Sequence, residues 1–397
     1  MKVHITAAEA SGDLLGREVI EAIRGHGQGQ HPYQDICIAG IGGAEMAAAG
    51  IDSPIDIAPL SVLGLVEGLR AYGDVKRLVA EAADAIIAFE PDVAVMIDSW
   101  GFTIRLAQAV RARAPQIRLV KLIGPQVWAS RPGRAKTLAR HFDHLLAMTE
   151  MEPPLYAGTG LAVTVIGAPA LSRTVKGDGA AFRAAHDLNA DAPLLLVLPG
   201  SRASEIDRVA PVLMAAADRC RSLRPGLEVV AMPAQAVMAR FREQYGATSG
   251  VHIIDAGQEA GQEDGEARTG RGRHDAMAAA DAALACSGTV TSELAVQGTP
   301  MVVGYKIGWM TWAIARFLLY KHRHITLLNI ASGDRSIVPE FVQTGFTPDR
   351  LSDAALAILD DPARAAAQVE AQNRALTRMG YGGPPVADLA AAAILQR

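Results

Sequence analysis

Short, almost continuously apolar runs alternate along the chain with longer stretches in which apolar residues recur every three or four positions. The runs at 3–8, 35–39, 92–97, 118–123 and 144–148 predict one set of strands, and those at 194–198, 228–232, 251–254, 282–285 and 301–304 a second. They show little polar–apolar alternation, as expected of parallel strands buried on both faces. Between them, residues 14–24, 75–89, 101–113 and 211–223 carry the spacing of amphipathic helices. Strand and helix in regular succession mean βαβ units, and therefore doubly wound α/β sheets.

The succession pauses at 167–179, where Pro169, Gly177 and Gly179 interrupt a polar stretch. A domain boundary falls there, dividing the chain into residues 1–168 and 169–351, two Rossmann-like domains facing a central cleft. Past Ser352 the sequence is Ala-rich and helical, so 352–397 form a tail that packs across the domains or against a partner subunit, as in a homodimer. Residues 257–273, rich in Gly, Gln, Glu and Arg, read as a mobile surface loop.

Composition narrows the possibilities. Of 397 residues half are hydrophobic and a fifth charged, so both domains have ample core. A net charge of -4 leaves no basic footprint for nucleic acid. Cys37, Cys220 and Cys286 are too few and too scattered for a disulfide framework or a zinc site, and read as small buried hydrophobes. The first strand runs straight into Glu9, Ser11 and Asp13, leaving no signal-peptide core, and no apolar stretch reaches transmembrane length. A cytoplasmic protein, at most resting on a membrane, is expected. No histidine cluster has a ligand set, so no metal site is expected.

Ligands of doubly wound sheets bind at the carboxyl ends of the strands, which singles out four turns. Pro199-Gly200-Ser201-Arg202, before Glu205, offers backbone N–H groups and a guanidinium to a phosphate, or is an ordinary turn with a surface arginine. Ser287-Gly288-Thr289 offers hydroxyls, and Glu293 one turn later either reaches ribose hydroxyls or simply favours the helix dipole. Two phosphate-type turns in one domain favour a diphosphate ligand. Asp98, at the end of a strand, is a general base or a helix N-cap. Glu9-Ala10-Ser11-Gly12-Asp13 adds a second carboxylate, with capping by Ser11 or Asp13 as the rival role. Gly40-Ile41-Gly42-Gly43 begins like a dinucleotide fingerprint, but Glu45 stands where its third glycine belongs.

In order along the chain, the Glu9–Asp13 turn, Leu63-Gly64-Leu65-Val66-Glu67, Ile97-Asp98, Pro125-Gln126-Val127-Trp128, Leu198-Pro199-Gly200-Ser201-Arg202, Ser287-Gly288-Thr289 with Glu293, Pro300-Met301-Val302-Val303-Gly304-Tyr305, and Asn329 before Val338-Pro339-Glu340 resemble the lipid-A-disaccharide synthase family. The resemblance implies the GT-B fold and an inverting transfer of diacylglucosamine from UDP to the 6-hydroxyl of diacylglucosamine 1-phosphate, without a metal or other cofactor. It implies that Gly200, Ser201, Arg202, Ser287, Gly288, Thr289 and Glu293 hold UDP and that Asn329 lines the donor side. Asp98 and Glu9 would deprotonate and position the acceptor, and Arg202 would stabilise the leaving group. The chain departs from the family pattern in three places: Trp100-Gly101 after the acid turn, Ala168, and Ala8.

Acylated substrates call for a membrane-facing surface at the inner face of the inner membrane. Residues 306–324 suit one, with Trp309, Trp312 and Phe317 flanked or interrupted by Lys306, Arg316, Lys321 and Arg323. A buried helix whose basic end meets a phosphate is the alternative.

Overall fold

The computed structural model describes residues 1–27, 36–57, 71–127, 131–255, 265–308 and 323–396. They form two compact units, Met1–Ser172 together with Gly382–Arg397, and Arg173–Tyr381.

The first unit is built on β1 (Lys2–Thr6), β2 (Cys37–Ile41), β3 (Val93–Ile97), β4 (Arg118–Leu122), β5 (His144–Ala147) and β6 (Ala162–Val165). All are parallel, in the order β2-β1-β3-β4-β5-β6, with Val3 in register with both Ile38 and Val93. The second unit contains β7 (Leu194–Leu198), β8 (Glu228–Ala231), β9 (His252–Ile253), β10 (Ala282–Cys286), β11 (Met301–Tyr305) and β12 (Glu340–Val342). These too are parallel, in the order β12-β11-β10-β7-β8-β9. Every residue of β3, β7 and β10 is buried, because helices cover both sheet faces and leave no side for polar residues. The apolar runs mark ten of the twelve strands. The other two, β6 and β12, are short edge strands, largely half-buried, whose sequences Ala-Val-Thr-Val and Glu-Phe-Val give a weak signal.

The strand order fixes where ligands can bind. From β1 the chain goes to β2 on one side and later to β3 on the other. From β7 it goes to β8 on one side and later to β10 on the other. Each divergence is a topological switch point, where the loops part and leave a crevice at the carboxyl ends of the strands. The four turns singled out by sequence follow β1, β3, β7 and β10.

Two expectations need correction. The supposed loop at 257–273 is helical from Gly265, in a helix running to Ala279. It is anchored by its far end, where Ala276 and Met277 are fully buried; residues 257–264 lie outside the described residues. Cys37 is exposed at the start of β2, whereas Cys220 and Cys286 are buried. The C-terminal helices divide between the two units. Pro348–Leu359 and Pro362–Arg378 stay with the second unit, the first packed on helix Ala210–Leu223. Val386–Leu395 returns to the first unit and packs on helix Ala10–Gly27. Arg118 closes the end of that last helix, donating to the carbonyls of Ala393 at 3.2 Å and Ile394 at 3.1 Å. Among the described residues no helix is long and apolar enough to cross a membrane.

Candidate active site

The turn after β3 is strained. Asp98 and Ser99 both have φ of 39°, a left-handed conformation that costs a non-glycine residue about 1–3 kcal/mol. Three groups hold it. The Asp98 N–H donates to the Leu122 carbonyl at 2.9 Å, and the Thr103 hydroxyl donates to the Asp98 carbonyl at 2.8 Å. Beneath them lies Lys121, 1 % exposed, whose Nζ donates to the Met96 carbonyl at 3.3 Å, to Thr103 Oγ1 at 2.9 Å, and to the Asp98 carbonyl. Helix Trp100–Arg113 has Ser99 at its N-cap and no side-chain cap bond, so the Asp98 carboxylate is not spent on capping.

Burial raises the pKa of Asp98; the Lys121 charge opposes that shift, the Glu9 charge adds to it, and the Ser99 N–H bond opposes it. Burial brings Lys121 down to about 7 against the opposing pull of Asp98 and Glu9. Glu9 is exposed, yet close enough to act on both. Two carboxylates and a buried amine are therefore electrostatically coupled at the first switch point. Asp13, in the same turn as Glu9, does different work. Its buried carboxylate accepts the N–H groups of Gly43 at 2.7 Å, Glu45 at 2.9 Å and Met46 at 3.2 Å, capping the helix Ala44–Ala48. A Cβ on Gly42 or Gly43 would sit 2.7 Å from an Asp13 oxygen, so those glycines serve this contact and not a dinucleotide. Trp100, at the departure from the family pattern, packs on the core and carries the Arg134 guanidinium 5.3 Å above its ring.

The turn after β7 is rigid. Gly200 has φ of +125°, and a Cβ there would lie 2.5 Å from Glu205 Oε2. That carboxylate oxygen accepts the N–H groups of Ser201 at 2.8 Å and Arg202 at 3.2 Å. The sequence reading has those N–H groups facing a phosphate; instead they are tied to Glu205. Arg202 itself is open, its side chain 74 % exposed against 8 % for Glu205, with a long 3.4 Å contact between them and a hydrogen bond to Tyr305. So the turn presents the Arg202 guanidinium and the Ser201 hydroxyl on a backbone locked from below.

Beside it, the turn after β10 leaves Gly288 and Thr289 exposed, with open space around the Gly288 α-carbon. The Thr291 hydroxyl donates to the Gly288 carbonyl at 2.8 Å, and the Thr289 side chain makes no cap bond. Ser287 is half-buried between strand and turn. Arg202 and Glu205 are both near enough to influence Cys286, which places the two turns side by side. Glu293 is largely buried and paired with Arg273 at 3.0 Å; burial raises its pKa and Arg273 opposes the shift.

Asn329 joins neither turn. Fully buried, it donates to the Val338 carbonyl at 2.9 Å and Glu340 Oε1 at 2.8 Å and accepts the Val338 N–H at 2.8 Å. Glu340 in turn caps helix Leu327–Ala331 through the N–H groups of Ile325 at 2.9 Å and Thr326 at 2.7 Å. Asn329 thus holds a segment in place and presents no free amide edge.

Sequence reasoning gave no individual role to Lys121, Tyr305 or Arg273. Lys121 had a usable signal, a lone cation inside the apolar run Arg118-Leu119-Val120-Lys121-Leu122. Residues 63–67, Trp128 and 309–322 lie outside the described residues. Among those described, no group of three His, Cys, Asp or Glu is arranged to hold a metal ion.

With this geometry in place, comparison with known proteins is specific. The lipid-A-disaccharide synthetase family model matches residues 3–382. The lipid-A-disaccharide synthase of Ruegeria pomeroyi is 38% identical over 399 residues, covering 100% of this chain and 95% of its own. That of Paramagnetospirillum magneticum is 36% identical over 398 residues, covering 100% and 97%. Among solved structures, a UDP-GlcNAc 2-epimerase from Neisseria meningitidis, bound to UDP-GlcNAc, superposes with a TM-score of 0.61 at 13% identity over 100% of both chains. A sucrose-phosphate synthase from Thermosynechococcus elongatus gives 0.55 at 11% identity, covering 99% of this chain and 98% of its own. At such identities the structural likeness is one of fold, the GT-B class of paired doubly wound sheets. Matched over nearly its whole length by the family model and by these relatives, the chain is a glycosyltransferase that belongs to the lipid-A-disaccharide synthase family.

Proposed function

We propose that the chain transfers 2,3-diacylglucosamine from UDP to the 6-hydroxyl of 2,3-diacylglucosamine 1-phosphate with inversion, giving lipid A disaccharide 1-phosphate and UDP. The acceptor oxygen attacks the anomeric carbon, the bond from that carbon to the UDP oxygen breaks, and the electron pair leaves with UDP. Asp98 takes the acceptor proton, and Glu9 beside it positions the sugar. Arg202, with the hydroxyls of Ser201 and Thr289, meets the diphosphate and stabilises its growing charge, a preorganised electrostatic role that no metal ion has to fill. Gly200, Ser287 and Gly288 allow the diphosphate to approach closely, Glu293 reaches toward the ribose, and Asn329 supports the donor side by fixing Glu340.

The observation that carries this reading is the contrast between the two switch points. One holds a buried, charge-coupled carboxylate, the other an exposed guanidinium on a locked turn. The test is UDP release from UDP-2,3-diacylglucosamine, measured with and without the acceptor, and the anomeric configuration of the product. Release that requires the acceptor and yields the opposite configuration from the donor supports the reading; acceptor-independent turnover or retained configuration overturns it. Action on a soluble UDP-sugar finds no comparable support, because the epimerase likeness is confined to fold.

Acylated substrates also support a peripheral seat on the inner face of the inner membrane. The segment from Lys306 to His324 would supply apolar contact and cations worth about 1 kcal/mol each near an anionic surface. A homodimer through the helical tail belongs to the same reading.

A further inference from the structure

The mechanism so far leaves the buried Lys121 without a role. Lys121 sits near the end of β4, 1 % exposed, in a run whose other residues are aliphatic or lie at its mouth. A lysine there is costly unless something compensates, since burial penalises the ammonium strongly. Its compensation comes from the acid turn, the strand and helix that the turn joins, and Glu9. Nζ donates to the Met96 carbonyl at 3.3 Å, to Thr103 Oγ1 at 2.9 Å and to the Asp98 carbonyl, and the charges acting on it are those of Asp98 and Glu9. One of its three acceptors, the Asp98 carbonyl, belongs to a residue with left-handed φ, and a second, Thr103 Oγ1, itself donates to that carbonyl. An apolar side chain of similar length would fill the space but leave the Asp98 carbonyl short of a donor and the carboxylate short of a counter-charge.

We infer that Lys121 is a positioning residue for the transfer reaction, holding the strained Asp98 turn in place and keeping its carboxylate ionised while the acceptor hydroxyl gives up its proton. The inference rests on the reading of Asp98 as the base. The charged groups facing Lys121 are Asp98 on the turn after β3 and Glu9 on the turn after β1, and both favour the ammonium. When an acceptor sugar closes the crevice and strips water from Asp98, this internal cation is the one charge in the turn that opposes protonation of the carboxylate.

The experiment has two arms. In the kinetic arm, kcat/KM is followed against pH for the unaltered enzyme, Lys121→Met and Lys121→Arg. An opposite charge a few ångströms away typically lowers a carboxyl pKa by about 1–3 units. Lys121→Met should therefore move the acidic limb toward neutrality by at least about one pH unit and lower kcat more than tenfold. KM for the UDP donor should stay within about twofold, and Lys121→Arg should restore the limb. A merely structural lysine would lower activity without moving the limb, and that result overturns the inference. The second arm needs no turnover and no apolar replacement of Lys121. The chain has seven lysines, and a ¹³Cε-lysine NMR titration should show one changing charge near neutrality. In Asp98→Asn its midpoint should fall, because the carboxylate no longer holds the ammonium. No lysine titrating below about pH 9, or an unmoved midpoint in Asp98→Asn, likewise overturns the inference. If instead Asp98→Asn is fully active while the lysine midpoint still falls, the coupling stands and the assignment of the base is what fails.

Discussion

Substitution of Gly200 by alanine probes the locked turn at the second switch point. Its φ of +125° belongs to backbone space that glycine alone enters freely, so alanine is strained by about 1–3 kcal/mol. The new Cβ would also lie 2.5 Å from Glu205 Oε2 and 2.7 Å from Glu205 Cβ, and overpacking of that kind costs about another 1–3 kcal/mol. Glu205 cannot retreat without releasing the Ser201 and Arg202 N–H groups it binds at 2.8 and 3.2 Å. The sum, about 2–6 kcal/mol, corresponds to a fall in Tm of roughly 5–20 °C for a unit of this size. Weaker UDP binding should accompany it as the Ser201-Arg202 turn shifts. Differential scanning calorimetry with UDP titration measures both effects. In a double-mutant cycle with Glu205→Ala, the clash with the carboxylate should disappear while the contact with the 205 Cβ and the φ strain remain, giving a coupling of up to about 1–3 kcal/mol. A Gly200→Ala enzyme that melts within about 1 °C of the unaltered chain and binds UDP equally well would refute this account of the turn.

Other expectations follow from the same geometry. Arg202→Ala should lower kcat/KM by about 10²–10³, the scale of losing a preorganised donor worth about 2–4 kcal/mol, with Tm little changed because the side chain is largely exposed. Glu152 is buried, and burial lifts its pKa to about 7 against opposing hydrogen bonds from Thr149 and Met148. The folded enzyme therefore holds a proton that the unfolded chain gives up near pH 4.5, so this residue's contribution to stability falls as pH rises from there to about 7. Glu152→Gln keeps an acceptor for Met148 and Thr149, and should be about 1–3 kcal/mol more stable than the parent at pH 8 but equal to it at pH 4, as urea unfolding would show. Anionic vesicles should co-sediment the enzyme at low salt, and less so at high salt or after charge reversal by Lys321→Glu with Arg323→Glu; binding unchanged by both would remove this cluster from membrane contact.

Most of the architecture was legible because parallel strands buried on both faces must be apolar throughout. β3, β7 and β10 are such runs, and their carboxyl ends mark three of the four turns singled out as candidate ligand sites. The strands that escaped notice, β6 and β12, lie at sheet edges, where half-exposure weakens the pattern. The chain's return to the first unit through Val386–Leu395 depends on long-range packing against helix Ala10–Gly27, which no local pattern encodes. At the site, residue types pointed to the turns but not to how their atoms are used. Asp13 caps a helix more than thirty residues away, and Glu205 takes N–H groups that sequence logic offers to phosphate. Asn329 turns its amide inward to Val338 and Glu340. Lys121 escaped because a single cation in a strand reads as an edge residue until its burial is known.

The central claim is that Asp98 is the base, and substitution of the two neighbouring carboxylates tests it most directly. Asp98→Asn preserves shape, the Ser99 N–H contact and the Lys121-bound carbonyl, and removes the carboxylate's charge together with its capacity to take a proton. Acceptor-dependent UDP release should fall by about 10²–10⁴ in Asp98→Asn while UDP affinity, measured calorimetrically, is retained. Glu9→Gln should cost much less, acting chiefly on KM for the acceptor. Abolished turnover in Glu9→Gln beside normal turnover in Asp98→Asn would contradict the account and exchange the two roles.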